Sequence, residues 1–234
     1  MVYSEHSGNE RAYIRDIILG INDGMISTLL LTIGVYASGL SIKAIILTII
    51  SSSVGGMISM GLGEYLATKS QVEVTNAELK TEKEHIDKYL DVELEQVKDF
   101  FINEVVIKNS LVTEIIDELR ENKESLFNFM KRIEFGVSDE DHRNPIIAMC
   151  VSGMLFFVGA LPTIISFCVS RNIKKCFYYS LGLNTISLFT VGAIKTKITK
   201  GSILLSGLEN LFYGALCGVI SYFVGYLFSM YLIK

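Results

Sequence analysis

The sequence predicts an all-α membrane protein with five transmembrane helices and a cytosolic helical insert between helices 2 and 3. Half of the 234 residues are apolar, and the mean hydropathy is +0.42. These residues are concentrated in five charge-free runs, each near or above the roughly 18–20 residues that cross a hydrocarbon core. The runs lack the two-residue alternation of a membrane β-barrel. They are Gly24–Ile42, Ala44–Gly63, Pro145–Ser170, Cys176–Ile194 and Asn210–Ile233.

Charged residues are distributed unevenly along the chain. Residues 69–143 contain 19 acidic and 11 basic side chains, a balance of −8, whereas the remainder is +4. This stretch indicates a discrete acidic domain that suits cations and argues against nucleic acid as a partner. We therefore divide the chain into a cytosolic lead (1–14), two spans (15–69), an insert (70–143) and three further spans (144–234).

The first two helices follow the polar lead directly. We expect helix 1 from Arg15 to Gly39, a full span rather than a cleavable signal peptide. Helix 2 is predicted to begin near Ile42. No proline marks its end, and residues that favour helix continue through Glu84, so one long helix is expected to enter the insert.

The remaining helices are predicted from periodicity and from capping residues. Within the insert, apolar residues recur at helical spacing and asparagines mark breaks, which indicates about three short helices. Helix 3 begins at Asn144-Pro145, a helix-start pair, and Pro162 is expected to kink it. Helix 4 is predicted over Lys175–Ile194 and helix 5 from Ser202.

Basic residues at the ends of the spans indicate the orientation. If the N-terminus and the insert are cytosolic, seven lysines and arginines flank the spans on that side and five on the other. The positive-inside rule then favours a cytosolic N-terminus and insert, with the C-terminus on the opposite face.

Helix 1 carries an acid inside its apolar run. On a helix, Asp16, Gly20, Asp23 and Ser27 fall on one face. A carboxylate at the depth of Asp23 costs several kcal/mol unless it is paired, hydrated or bound to a cation. This face therefore indicates a polar path, although a helix-packing hydrogen bond would also explain the acid.

Helix 2 carries a second candidate face, formed by Met57, Met60 and Glu64. Because antiparallel neighbours on a short loop pack together, we expect it to meet the face of Asp23. A carboxylate with a thioether suits Fe²⁺, with Mn²⁺, Co²⁺ or Zn²⁺ also possible, rather than the all-oxygen sites of Mg²⁺ and Ca²⁺. The methionines could instead serve packing, and Glu64 could face water.

A third candidate face lies on the extension of helix 2. Glu78, Glu82 and His85 are spaced i, i+4, i+7, which is metal-ligand spacing, although a solvated acidic helix shows it too. Glu93 follows in the next helix. Met130 and Glu134, four residues apart, could close a site from a later one.

Motifs for other chemistry do not stand out. The sequence has no Walker loop, no Gly-x-Ser-x-Gly elbow and no His-Glu-x-x-His pair. We therefore predict neither an enzyme nor a protein with a tightly bound cofactor.

Two stretches resemble signatures of the vacuolar iron transporter family. Arg15–Gly24 (RDIILGINDG) resembles its first-helix signature, and Met57–Ser70 (MISMGLGEYLATKS) its second. The order of two spans, an acidic insert and three spans is similar too. The resemblance implies proton-coupled export of Fe²⁺ from the cytosol into a vacuole or similar acidic organelle, for iron storage and detoxification. It also implies a homodimer with a path between subunits.

The resemblance also implies roles for single residues. Asp23 and Met60 match the family's metal residues in the membrane. Positions of its cytosolic metal-binding insert are matched by Glu82, Glu93, Met130 and Glu134.

The sequence departs from the family at four positions. Ser52 stands where a membrane glutamate is expected, His85 and Gln96 stand where the insert usually has glutamates, and Lys131 replaces a second methionine. The insert is therefore expected to hold fewer ions or to hold them more weakly. Proton coupling would then rest on Asp23 and Glu64.

Three functional hypotheses follow. The first is an Fe²⁺ transporter coupled to protons. The second is a transporter of Mn²⁺ or of several divalent metals. The third is a membrane-anchored metal sensor or adaptor without transport.

Overall fold

The computed structural model describes residues 13–37, 39–135 and 143–232, and these form eight α-helices. They separate into two compact units: the described residues between Ala67 and Arg143 form the insert unit, and those before and after form the membrane unit. The helices are α1 (Ile14–Ala37), α2 (Ile42–Lys88), α3 (Leu90–Asn103), α4 (Asn109–Glu121), α5 (Lys123–Glu134), α6 (Pro145–Val169), α7 (Ile173–Thr199) and α8 (Ile203–Leu232).

Five of these helices are long and apolar enough to cross a membrane, namely α1, α2, α6, α7 and α8. The all-helical fold and the five candidate spans confirm the predicted fold class. The side of the membrane on which the insert lies stays a prediction.

Local sequence explains the helix ends. Helix α1 ends at Ala37, two residues before the predicted end, and Gly39 takes a positive φ of 74° in the connection to α2. Helix α2 continues for 47 residues to Lys88, as the missing breaker predicts. At the start of α6, the Asn144 side chain accepts hydrogen bonds from the amides of Ile146 and Ile147, which confirms the predicted cap.

Close backbone contacts hold α1 against α6. A Cβ atom at Gly20 would lie 2.9 Å from the Ser152 carbonyl oxygen, and one at Gly24 would overlap the Phe156 backbone. On the facing helix, a Cβ at Gly159 would overlap the backbone of Ile21. Small residues let membrane helices approach in this way and gain van der Waals contact.

Helix α6 also contacts α2 at the same level. The ring of Phe156 fills the space next to Gly56, and a Cβ at Gly153 would lie 2.8 Å from the Met57 carbonyl oxygen. Helix α6 is therefore a shared packing partner of α1 and α2. Near the short connection, a cluster that includes Ile45 on α2 packs against Val35 on α1.

Polar contacts join α8 to α1. The Asn210 amide nitrogen donates to the Asn22 side-chain oxygen at 3.2 Å and to the Leu188 carbonyl on α7 at 3.3 Å. One turn before the end of the fifth candidate span, the Ser221 hydroxyl donates to the Leu30 carbonyl at 2.9 Å. Interhelical hydrogen bonds of this kind orient helices in lipid, where water does not compete.

The insert unit has a hydrophobic core of its own. Its buried members come from all four helical segments: Ile86, Leu94, Val97, Leu119, Leu126 and Met130. Phe101 and Phe129 stack against it with ring centroids 5.1 Å apart. This core holds the C-terminal part of α2 against α3, and thereby positions the polar residues described below.

A Gly24→Ala variant should be less stable than the wild type by about 1–3 kcal/mol, because the added methyl group meets the Phe156 backbone, which does not rotate away. Thermal unfolding in detergent measures the change. Gly55→Ala is the matched control, since a Cβ at Gly55 meets nothing within 4 Å. Equal unfolding temperatures for the two variants would contradict the packing of α1 on α6.

Candidate metal-binding site

The turn between α2 and α3 brings three candidate ligands together. Glu82 and His85 lie one turn apart near the end of α2, and the chain reverses at Tyr89 so that Glu93 lies in the first turn of α3. His85 Nδ1 is 3.7 Å from Glu93 Oε1. One ligand atom from each of the three residues lies within 4.8 Å of the others, which is a separation that one ion can bridge.

A cavity of about 460 Å³ opens beside these residues. Glu78, Gln96 and Glu134 also line it, so it collects four carboxylates, an amide and an imidazole. Glu82 and Glu93 are only 5% and 4% exposed. The Glu82 Oε1 atom is buried without a hydrogen-bond partner among the described residues. An oxygen in this state is costly, and a bound cation would satisfy it.

The same surroundings change the protonation of the acids. Burial, with the negative charges of Glu134 and Glu93, raises the pKa of Glu82 to about 7, although His85 partly opposes the shift. Burial and the charge of Glu134 likewise raise the pKa of Glu93. Near neutral pH the site therefore exchanges protons readily, and a divalent cation would compete with them.

The donor set defines which ions fit. Carboxylate oxygens with one imidazole nitrogen suit Fe²⁺, Mn²⁺, Co²⁺ or Zn²⁺ better than the all-oxygen preference of Ca²⁺. His85, which replaces an expected glutamate, is among the clustered ligands. Gln96 lines the cavity with its amide, whose oxygen is a weaker ligand.

Met130, a predicted ligand, and Lys131, which replaces an expected methionine, lie elsewhere in the insert. Met130 is 2% exposed and belongs to the hydrophobic core. Lys131 is also buried, at 8% exposure, and like Met130 it does not belong to the described lining of the cavity. The role of Met130 in metal binding stays a prediction.

The residues predicted for the membrane path differ in their surroundings. Asp16 and Gly20 are buried in the membrane unit, whereas Asp23, on the same face, is exposed on the single chain. The Ser27 hydroxyl donates to the Asp23 carbonyl. Met60 and Glu64 are half-buried. The predicted face thus divides into a buried part at Asp16 and Gly20 and an open part at Asp23.

The sequence reasoning missed the Asn22–Asn210 contact. Its two members flank the candidate path, because Asn22 precedes Asp23 and its amide oxygen is held by Asn210. Both are strongly polar residues in or beside apolar runs, and that signal could have identified them.

Five candidate spans and a cluster of metal-ligand type in the insert together fit the class of membrane proteins that handle metal cations. A model of the VIT family matches residues 14–226, so the chain belongs to this family, whose members are transporters and not enzymes. The resemblance predicted from the two helix signatures is thereby confirmed, as is the prediction that the chain is not an enzyme.

Several named proteins are similar along most of the chain. "Vacuolar iron transporter 1" of Oryza sativa subsp. japonica is 25% identical over 94% of this chain and 89% of its own length. The protein of the same name from Tulipa gesneriana is 26% identical over 89% of this chain and 84% of its own. "Protein CCC1" of Saccharomyces cerevisiae is 27% identical over 81% of this chain and 59% of its own.

The raised pKa of Glu82 predicts how stability depends on pH without metal. The Glu82 carboxyl holds its proton up to about pH 7 in the folded state, whereas in the unfolded state it releases the proton near its ordinary pKa of 4.5. Stability from this group is therefore full below pH 4.5 and falls as pH rises toward 7. When the pH rises from 5 to 8 in the presence of a chelator, the free energy of unfolding should fall less for Glu82→Gln than for the wild type. Chemical unfolding at each pH measures this difference.

Glu84→Gln is the matched control for this measurement. Glu84 is exposed on the same helix and pairs with Lys88 at 3.3 Å. It should keep the pH dependence of the wild type. If Glu82→Gln kept it too, the assignment of the titrating group to Glu82 would be wrong.

Proposed function

We propose that this protein transports Fe²⁺ from the cytosol into a vacuole or similar acidic organelle in exchange for protons. The observation that carries the proposal is the cluster of Glu82, His85 and Glu93, in a chain that also has a carboxylate, Asp23, within a candidate span. The names of the relatives support iron as the cargo and the vacuole as the destination.

The insert would act as a collector of ions. The pKa of Glu82, raised to about 7, makes binding sensitive to pH near neutrality, so that the site would bind metal at cytosolic pH and lose it on acidification. The cavity is open enough for an ion to enter and leave, which a transporter needs more than it needs the tightest possible binding.

The membrane unit would provide the path. Asp23 and Met60 would bind the ion in transit, and Glu64 would assist at the end of the span. The open position of Asp23 on the single chain favours a homodimer in which two Asp23 carboxylates approach one axis. Paired carboxylates bind a divalent cation and, when the ion leaves, hold a proton between them, which would couple the two fluxes.

A second candidate function is the transport of Mn²⁺ or of several divalent metals. One imidazole with carboxylates does not select Fe²⁺ sharply, and affinity among these ions follows the general Irving–Williams order. Competition between Fe²⁺, Mn²⁺, Co²⁺ and Zn²⁺ in a flux assay separates the two functions. A sensor or adaptor without transport would show metal binding but no flux of any of these ions.

An Asp23→Asn variant should lose most of its Fe²⁺ flux into proteoliposomes with an acidic interior, by at least roughly tenfold, because the amide keeps the volume but not the charge. Anaerobic uptake with a fluorescent iron indicator measures it. Glu209→Gln is the control, since Glu209 lies 3.9 Å from Lys195 and is not one of the residues proposed to bind the ion in transit. Wild-type flux from Asp23→Asn would refute the proposed path.

Binding of Co²⁺, an absorbing substitute for Fe²⁺, should weaken by roughly 10–100-fold in Glu82→Gln and in His85→Ala, because each removes a ligand or its charge. For the wild type, affinity should fall roughly tenfold for each pH unit below 7 if one proton is displaced. Absorption titration of the full-length protein tests both. Glu84→Gln should bind like the wild type, and a flat pH response would exclude Glu82 as a ligand.

A further inference from the structure

A basic patch lies at the end of the membrane unit where α2 and α7 begin. It consists of Lys43, Arg171, Lys174 and Lys175, whose side chains are all exposed. None of them forms an ion pair with a described residue. The spans next to this patch carry no acid from Gly24 to Gly63 or from Pro145 to Leu208. Four cations thus stand together at a membrane interface without a neighbouring acid along these spans.

Packing brings the two parts of the patch near each other. Ile42, next to Lys43, and Ile173, next to Lys174, both pack against one buried cluster that contains Ile45 and Cys176. The first turns of α2 and α7 are therefore neighbours in the membrane unit.

An apolar groove begins beside this patch. It runs between α6 and α7 with a volume of about 490 Å³, and its lining includes Ile165, Val169, Tyr178, Tyr179 and Leu183. These large side chains are all 39–69% exposed on the single chain. In the membrane unit such a groove faces hydrocarbon, so an acyl chain is the material available to fill it.

The patch and the groove form one continuous surface along α7. Lys174 and Lys175 lie four residues before Tyr178 and Tyr179, and Gly182 and Leu183 follow four residues later. Residues at this spacing lie on one helix face, about 6 Å apart along the axis. The sequence of cation, tyrosine and apolar groove matches the headgroup, the interface and the acyl region of a phospholipid.

Gly182 shapes the middle of the groove. A Cβ atom built there meets nothing within 4 Å, so no protein side chain occupies the space beside it. The glycine is therefore not required for packing of α7 against its neighbours, and its effect is to keep the groove deep.

We propose that this surface is a binding site for one anionic phospholipid. Its phosphate lies on Lys174, Lys175 and Arg171, and one acyl chain occupies the groove beside Gly182. Asn172 already accepts hydrogen bonds from the amides of Lys174 and Lys175, so the side chains rather than the helix amides hold the headgroup. The positive end of the α7 dipole adds to the attraction. This site does not depend on the proposed transport of iron.

The experiment is a titration of the full-length protein in neutral detergent with dioleoyl phosphatidylglycerol, followed by native mass spectrometry. Lys174→Gln/Lys175→Gln should bind this lipid roughly 30-fold more weakly than the wild type. Each lysine near an anionic headgroup raises the affinity about fivefold, and the variant lacks two of them. Lys174→Arg/Lys175→Arg should bind nearly as well as the wild type, because the charge is kept. Dioleoyl phosphatidylcholine should bind weakly to all three proteins.

Two further variants make the test specific. Lys197→Gln/Lys200→Gln removes the same charge at the other end of α7, where both lysines are exposed, and should keep wild-type binding. Gly182→Leu fills the groove and should weaken binding of the dioleoyl lipid about tenfold, without affecting the unfolding temperature.

Three results would overturn the proposal. Equal losses in the two lysine-to-glutamine pairs would indicate unspecific attraction. Wild-type binding by Gly182→Leu would exclude the groove. Displacement of the lipid by millimolar inorganic phosphate, with binding of phosphate alone, would identify a phosphate site instead of a lipid site.

A loss of lipid binding with normal metal flux would separate this site from the proposed transport.

Discussion

The candidate metal-binding site depends on one constraint, the free-energy cost of removing carboxylates from water. Glu82 and Glu93 are almost fully buried, and the buried Glu82 oxygen lacks a hydrogen-bond partner among the described residues. Such groups persist only when protons or cations neutralise them, because an isolated charge in a region of low dielectric is strongly unfavourable. The insert core, which packs α2 against α3, supplies the free energy that holds these acids together. The raised pKa of Glu82 is the direct expression of that cost.

The membrane unit shows how close packing determines which polar groups remain accessible. Gly20 and Gly24 lie against the backbone of α6, and Asn22 is held by Asn210 on α8. These contacts fix the rotation of α1 about its axis, and in this rotation Asp23 is exposed on the single chain. A larger residue at Gly24 would therefore affect the path as well as the stability of the bundle.

The departures from the family pattern leave a cluster of metal-ligand type in the insert. His85 takes part in the ligand cluster and contributes a nitrogen where an acid was expected, and Gln96 lines the same cavity. Replacing carboxylates by neutral ligands lowers the total negative charge at the site, which reduces its attraction for divalent cations and its repulsion among acids. Weaker and more readily reversible binding would suit the proposed transport.

Sequence alone determined the five spans, the long helix α2 and the cap at Asn144, because run length, missing breakers and capping residues act locally. It also identified Glu82 and His85 as candidates, since their spacing places them on one helix face. Only the tertiary structure brought Glu93 to them across the turn at Tyr89, placed Met130 in the core and put α6 in contact with both α1 and α2. These features depend on which helices pack together and at what rotation, and neither helical period nor hydropathy specifies that choice.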